Sequence, residues 1–80
     1  QIGSNSIINN KALIEHDVTI GSNCHISASA TINGNCEIGD NTFIGSGTIV
    51  NNGIKIGNNC LIGSGLTIKK NIKDDSIKKK

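Results

Sequence analysis

The two histidines of this 80-residue chain are the side chains best suited to acid–base chemistry. His16 stands between two carboxylates, Glu15 and Asp17, and His25 follows on the far side of a turn-like stretch. Histidine is the usual general base near neutral pH, and a neighbouring carboxylate can fix its tautomer and stabilise its protonated form. The pattern therefore predicts a candidate base at His16, oriented by Asp17. A histidine and an aspartate on a solvated turn are the alternative, which spacing alone leaves open.

The elements that position these residues follow a strict six-residue period. Twelve successive positions at this spacing hold isoleucine or valine, namely Ile2, Ile8, Ile14, Ile20, Ile26, Ile32, Ile38, Ile44, Val50, Ile56, Ile62 and Ile68. A helix would place apolar residues every 3.6 positions and an exposed strand every two, so neither explains a period of six. A six-residue repeat is typical of a parallel β-helix. The fold class predicted is all-β, a single-stranded parallel β-helix.

The polar residues of each repeat predict its corners. Ten of the twelve residues three places after the aliphatic position are Asn, Gly or Asp, which tolerate positive φ, and the next residue is mostly small. One corner per hexad gives a three-sided prism with about eighteen residues per coil and about four coils. In this geometry the stacking neighbour of His16, one coil further along, is Gly34, which leaves space and an exposed amide beside the imidazole. Cys24, Cys36 and Cys60 fall inside corners and are predicted to be buried free thiols, which suits a reducing cytosol.

Composition excludes several classes of partner. The chain has one aromatic residue, Phe43, and a net charge of +2, with six of its eight lysines among the last twelve residues. Base stacking therefore has little support, and no stretch has the length and composition of a membrane span, so we expect neither nucleic acid nor membrane as a partner. Because Asp74 falls on the next aliphatic position, the β-helix is predicted over residues 1–72, with a solvated lysine-rich tail over 73–80.

The motifs together resemble a known enzyme family. The string Ile14–Gly21 (IEHDVTIG), with CHIS at 24–27, NGN at 33–35, IGDN at 38–41 and IGSG at 62–65, is similar to the C-terminal domain of the sialic-acid O-acetyltransferase-like family. That group of hexapeptide-repeat acyltransferases includes bacterial N-acetyltransferases of nucleotide-linked amino sugars. The resemblance covers roughly residues 2–75. It implies left-handed winding, against the general right-handed rule for parallel crossovers.

The resemblance also implies roles for individual residues. His16 matches the catalytic base and Asp17 its acidic partner, while Gly34 matches the glycine whose amide faces the developing oxyanion. His25 matches a residue lining the acetyl-CoA site, and the backbone at Ser46 and Ser64 matches positions that follow the pantetheine arm.

The implied enzyme is an acetyltransferase that uses acetyl-CoA as co-substrate to modify an amino or hydroxyl group of a sugar or sugar nucleotide. In such enzymes three chains associate with the active sites between them. Here Phe43, Ile49 and Leu61 are the apolar residues expected at that interface. The free thiols favour a cytoplasmic location, and the implied mechanism needs no metal. The chain has only two histidines, which argues against the γ-type carbonic anhydrases, β-helices that bind zinc with three.

The sequence departs from the family in two respects, and two other functions are alternatives. Family members carry an N-terminal domain that binds the sugar nucleotide, and we expect this sequence to be a fragment that lacks it. A Gly-Asn-Pro-like ending is also replaced by Ile77-Lys78-Lys79-Lys80. The chief alternative function is a non-catalytic β-helical trimerisation or scaffold module. An ice-binding β-helix is disfavoured because Thr19, Thr31 and Thr67 are scattered over different sides.

Overall fold

The chain is a left-handed parallel β-helix built only of short strands and turns. The computed structural model describes residues 1–80, and it contains no helix long and apolar enough to cross a membrane. All twelve strands are two residues long. They are β1 (Ile7–Ile8), β2 (Leu13–Ile14), β3 (Thr19–Ile20), β4 (His25–Ile26), β5 (Thr31–Ile32), β6 (Glu37–Ile38), β7 (Phe43–Ile44), β8 (Ile49–Val50), β9 (Lys55–Ile56), β10 (Leu61–Ile62), β11 (Thr67–Ile68) and β12 (Ile77–Lys78).

The strands form the three sides of a prism. Side A contains β3, β6 and β9; side B contains β1, β4, β7, β10 and β12; side C contains β2, β5, β8 and β11. Each strand pairs with the strand one predicted coil further along the chain, as Ile8 pairs with Ile26 and Ile14 with Ile32. The predicted all-β fold, with three sides and about four coils, is confirmed. We name the corners by the sides they join: A–B (3–6, 21–24, 39–42, 57–60), B–C (9–12, 27–30, 45–48, 63–66) and C–A (15–18, 33–36, 51–54).

The core is a column of the periodic aliphatic residues. Ile26, Ile32, Ile44 and Ile62 have no solvent exposure, and the residue before each one points outward. Burial of one such side chain contributes about 2 kcal/mol. Because every coil adds three of these side chains on top of the previous three, the whole prism has one continuous apolar interior.

Positive φ angles occur where the sequence predicts the corners. Eleven of the twelve predicted positions have φ between 56° and 73°, and the exception is Asn71. Lys11 and Ser29 adopt this conformation although neither residue type favours it. The repeat geometry therefore overrides residue preference at those two corners.

The small residues inside the corners also form hydrogen bonds that size alone does not predict. Thr42 Oγ1 donates to the carbonyl of Gly57 at 2.8 Å and accepts the backbone N–H of Cys60 at 3.2 Å. The thiols of Cys24 and Cys36 donate in the same way to carbonyls of the following coil, at 2.9 and 3.0 Å. All three cysteines are free and buried, as predicted. Their position in this network gives them a structural role.

A second ladder of hydrogen bonds runs up the outside of the A–B corner. The backbone amide of Ser22 donates to Asp40 Oδ1 at 2.9 Å, that of Asp40 to Asn58 Oδ1 at 2.7 Å, and that of Asn58 to Asp74 Oδ1 at 2.8 Å. Each of the three donor residues follows a glycine: Gly21, Gly39 or Gly57. Glycine is needed there because the accepting side chain of the next coil occupies the space that a β-carbon would fill. This corner is closed by contacts within the chain.

The C-terminal segment differs from its predicted alignment. Ile56 pairs with Ile72 and Leu61 with Ile77, so the last coil is two residues shorter than the others. The shortening falls after β11, where Lys69 and Lys70 replace a four-residue corner. Ile72 therefore takes the aliphatic position that the strict period gives to Asp74, which instead joins the A–B ladder. Strand pairing continues to Lys78, six residues beyond the predicted end of the β-helix at residue 72.

Candidate functional site

His16 lies at the C–A corner of the first complete coil, two residues after the end of β2. Its Nδ1 is 3.3 Å from Oδ2 of Asp17, and both side chains are largely exposed, at 68% and 80%. An ionised carboxylate only accepts hydrogen bonds, so this contact requires the proton of a neutral imidazole to be on Nδ1. Nε2 is then the nitrogen that can accept a proton. Because exposed pairs of this kind are weak, the contact orients the ring more than it stabilises the fold.

Asp17 also forms the corner itself. Its φ of 56° places it in the left-handed region, which aspartate tolerates better than most residues. The equivalent positions in the next two coils are Asn35 and Gly53, which have φ of 62° and 73°. One residue therefore turns the chain and directs the imidazole of its neighbour.

Gly34 lies under the imidazole, one coil further along the same corner. A β-carbon at Gly34 would be 2.7 Å from Cε1 and 2.8 Å from Nε2 of His16, closer than real β-carbons approach other atoms. Its φ is not positive, so glycine is needed here for space and not for backbone conformation. The stacking of His16 against Gly34 that the hexad count predicts is confirmed.

The backbone N–H of Gly34 donates no hydrogen bond within the chain. The corresponding amides on the A–B corner, those of Ser22, Asp40 and Asn58, all donate to side chains of the next coil. The C–A corner therefore presents an unpaired amide donor on Gly34, the residue against which the His16 ring stacks. A nitrogen that can accept a proton and an unpaired amide donor are the two kinds of group that acyl transfer uses.

His25 lies on side B, in the outward position of β4. Its ring packs against that of Phe43, with 5.3 Å between centroids and an interplanar angle of 54°. The outward residues above and below continue an apolar stripe formed by Ile7, Phe43, Leu61 and Ile77, all of which are exposed. His25 is thus a half-buried polar residue within an apolar surface.

Ser46 and Ser64 lie one above the other on the B–C corner. Both side chains are exposed, and the backbone amides of both residues have no acceptor within the chain. The residue after each is a glycine with positive φ, Gly47 at 69° and Gly65 at 68°. This corner therefore offers a second row of unpaired amide donors.

The predicted site residues fall into two separate groups. His16, Asp17 and Gly34 share the C–A corner, which is the corner opposite side B, where His25 lies. Ser46 and Ser64 lie at the B–C corner, which adjoins side B. A single chain therefore does not bring His16 and His25 together. A ligand that contacts both would lie between two chains.

Asn33 is a residue of this site that sequence reasoning missed. Asn33 precedes Gly34 in the chain, and its side-chain Nδ2 donates to the carbonyl of Val50 at 3.1 Å. The signals in the sequence were its adjacency to Gly34 and its place in the NGN string at 33–35, but Asn also occupies many ordinary corner positions. The grooves in the surface lie elsewhere, on side A and near the C-terminus, and none is lined by His16 or Gly34. No group of three or more His, Cys, Asp or Glu side chains could hold a metal ion.

Comparisons with known proteins agree with the coil-and-hexad architecture, which defines the class of hexapeptide β-helices. The sequence matches the family described as "Bacterial transferase hexapeptide (six repeats)" over residues 1–34 and 35–70. The chain belongs to this family, which confirms the resemblance to hexapeptide acyltransferases. No curated protein matches the sequence.

Several solved structures share the fold. Perosamine N-acetyltransferase from Caulobacter crescentus, solved as a mutant in complex with CoA and GDP-perosamine, is 29% identical with a TM-score of 0.94 over 95% of this chain and 36% of its own. A hexapeptide transferase family protein from Anaplasma phagocytophilum is 20% identical with a TM-score of 0.82 over 90% of this chain and 43% of its own. The acetyltransferase domain of PglB from Neisseria gonorrhoeae, in complex with acetyl coenzyme A, is 19% identical with a TM-score of 0.64 over 95% and 49%. The chain spans less than half the length of each.

Proposed function

We propose that this chain is the acetyl-CoA-dependent domain of a sugar acetyltransferase, acting on an amino or hydroxyl group of a sugar or nucleotide-linked sugar. One observation carries the proposal: the imidazole of His16, directed by Asp17, lies beside the unpaired amide of Gly34. A scaffold module needs neither the histidine nor the space reserved for it. The perosamine N-acetyltransferase, 29% identical and in complex with CoA and GDP-perosamine, supports the reaction class and favours an amino acceptor.

The reaction follows from these groups without a covalent enzyme intermediate. The amine or hydroxyl of the acceptor attacks the thioester carbonyl while Nε2 of His16 takes its proton. The Gly34 amide donates to the oxyanion that forms on the carbonyl oxygen, a contact worth about 10²-fold or more in rate. When the carbon–sulfur bond breaks, the thiolate of coenzyme A leaves and takes the proton back from His16. Acetyl-CoA is consumed as a co-substrate and no metal takes part.

The active site is proposed to lie between neighbouring chains. Because the C–A corner and side B point in opposite directions, His16 of one chain would meet His25, Ser46 and Ser64 of the next. Repetition of such a head-to-tail contact closes a ring, and three chains form the proposed trimer. Phe43, Ile49 and Leu61 are exposed at 37%, 40% and 43%, which makes them available for the contact. A cytoplasmic location is part of the proposal, because acetyl-CoA and the three free thiols both suit that compartment.

The test is a transfer assay that follows release of free coenzyme A thiol. Wild-type protein and His16→Ala are compared with acetyl-CoA as donor and with nucleotide-linked sugars that carry either an amino group or hydroxyl groups only. GDP-perosamine serves as the first amino acceptor, in the full-length protein where a further domain is present. We expect acceptor-dependent thiol release by the wild type and a loss of about 10²-fold or more in the variant. Equal rates in the two proteins would refute the assignment of His16.

A further inference from the structure

The peptide group between Asn33 and Gly34 differs from the peptide groups before and after it in the chain. Neither the Asn33 carbonyl nor the Gly34 amide forms a hydrogen bond within the chain. The next peptide group is held at both ends, because Gly34 accepts from the amide of Gly53 at 3.0 Å and the amide of Asn35 donates to His16 at 3.1 Å. The direction of the Gly34 N–H is therefore not fixed by the ladder that fixes its surroundings.

Asn33 supplies a restraint through its side chain. Its backbone amide and its Nδ2 both donate to the same acceptor, the carbonyl of Val50, at 3.0 and 3.1 Å. This double contact holds both the main chain and the side chain of Asn33 against the following coil. The residue that precedes the free peptide group is thereby held at two points.

The equivalent residue of the next coil provides a natural control. Asn51 occupies the same corner position and also donates its backbone amide upward, to Ile68 at 3.0 Å, but its side chain forms no hydrogen bond. Its carbonyl is instead held directly, by the Cys36 thiol at 3.0 Å and the Ile54 amide at 3.4 Å. The side-chain restraint is thus present at Asn33, where the peptide group is otherwise free, and absent at Asn51, where the carbonyl of the peptide group is already held.

We infer that Asn33 is a positioning residue that directs the amide of Gly34 toward the reacting carbonyl. This inference rests on the proposed function, since it assigns a role to Asn33 only if Gly34 donates to the acetyl thioester. The effect of losing Asn33 is then on catalysis and on the Gly34 hydrogen bond, with the affinity for acetyl-CoA retained.

The experiment follows the Gly34 amide by NMR in ¹⁵N-labelled protein titrated with acetyl-CoA. Wild type, Asn33→Ala and Asn51→Ala are compared, with affinity measured by calorimetry and stability by thermal unfolding on the same samples. We expect the Gly34 amide proton to shift on binding in the wild type and in Asn51→Ala. In Asn33→Ala we expect unchanged affinity and loss of that shift.

The other outcomes separate the two claims. A wild-type Gly34 shift that persists in Asn33→Ala would overturn the role of Asn33 and leave the proposed function standing. Equal loss of the shift and of stability in both variants would mean a structural role only, which also overturns the inference. If the wild type binds acetyl-CoA without a Gly34 shift, the oxyanion assignment itself fails, and the inference fails with it. Failure of the oxyanion assignment would appear in the wild type, so it can be distinguished from failure of the role of Asn33, which appears only in Asn33→Ala. Should Asn33→Ala not fold, Asn33→Ser is used in its place.

Discussion

The imidazole of His16 occupies the space that a side chain on Gly34 would need, with Cε1 only 2.7 Å from the position of a β-carbon there. A functional group and the gap that accommodates it therefore come from residues one full coil apart. Because both belong to the same corner, the hexad repeat itself sets their distance.

Gly34→Ala is expected to reduce activity strongly and stability little. The added methyl group meets only the end of an exposed side chain, so the His16 ring rotates away instead of straining the backbone. Displacing a catalytic group by about 1 Å can cost about 10²-fold in rate. Gly39→Ala is the matched control, because its methyl group would meet backbone atoms of Gly57 and Asn58 at 2.7 Å. The control should lower the unfolding temperature clearly, and the reverse ranking of the two variants would contradict this assignment.

Three substitutions separate the two roles of Asp17. Asp17→Gly keeps the positive φ but removes the partner of His16, so we expect a stable protein with reduced turnover. Asp17→Asn keeps both the φ preference and an acceptor oxygen, so it should retain more activity than the glycine variant. Asp17→Ala loses both features and should be the least stable of the three, since a residue with a β-carbon is strained at φ of 56°. Thermal unfolding and turnover measured on the same samples give both rankings. If the glycine and wild-type proteins turn over equally, Asp17 acts at the corner alone.

Mixing two variants, each of which lacks one of the two histidines, tests whether the site is shared between chains. His16→Ala and His25→Ala are unfolded, combined in equal amounts and refolded, so that hybrid trimers form at random. In a head-to-tail ring, about one quarter of the sites then pair an intact His16 with an intact His25 from the neighbouring chain. We expect activity to return to about that fraction of the wild type. No recovery in hybrids that mass spectrometry shows to be present would mean that each chain carries its own site.

The corner hydrogen bonds predict which small residues can be exchanged. Thr42→Val keeps the shape but leaves the Gly57 carbonyl and the Cys60 amide without their partner, at a cost of about 1–3 kcal/mol in unfolding free energy. Thr19→Val, on the exposed position of β3, is the control and should change stability by no more than about 0.5 kcal/mol. Both are measured by urea unfolding at one fixed protein concentration, because dissociation of an oligomer would couple to unfolding. A similar cost for the two variants would show that the corner contacts do not stabilise the fold.

The sequence predicted the repeating part of the structure because that part depends only on local period. The aliphatic residue of each hexad, the positive φ at residues such as Asn23 and Asn41, and the stacking of His16 with Gly34 all follow from counting in sixes. Counting failed after Ile68, where a two-residue shortening moves Ile72 into the core and Asp74 into the A–B ladder. A single two-residue deletion near the end of the repeat cannot be located from the six-residue period alone; it is recognised only when the strand-pairing partners are known.

The site was only half predictable for a related reason. The separation of His16 and His25 follows from counting, because nine positions along a prism with six residues per side carry the chain to the opposite face. The side-chain contact of Asn33 with Val50 gave no such signal, because asparagine is common throughout the repeat. Hydrogen bonds between coils depend on side-chain direction, which residue type does not encode.

The measurement that tests the central claim most directly is calorimetric titration of the chain with acetyl-CoA, on protein whose mass in solution has been determined. We predict saturable binding to a trimer with one site per chain, weakened by His25→Ala and retained by His16→Ala. A well-folded trimer that binds no acetyl-CoA would contradict the account and favour a non-catalytic trimerisation module.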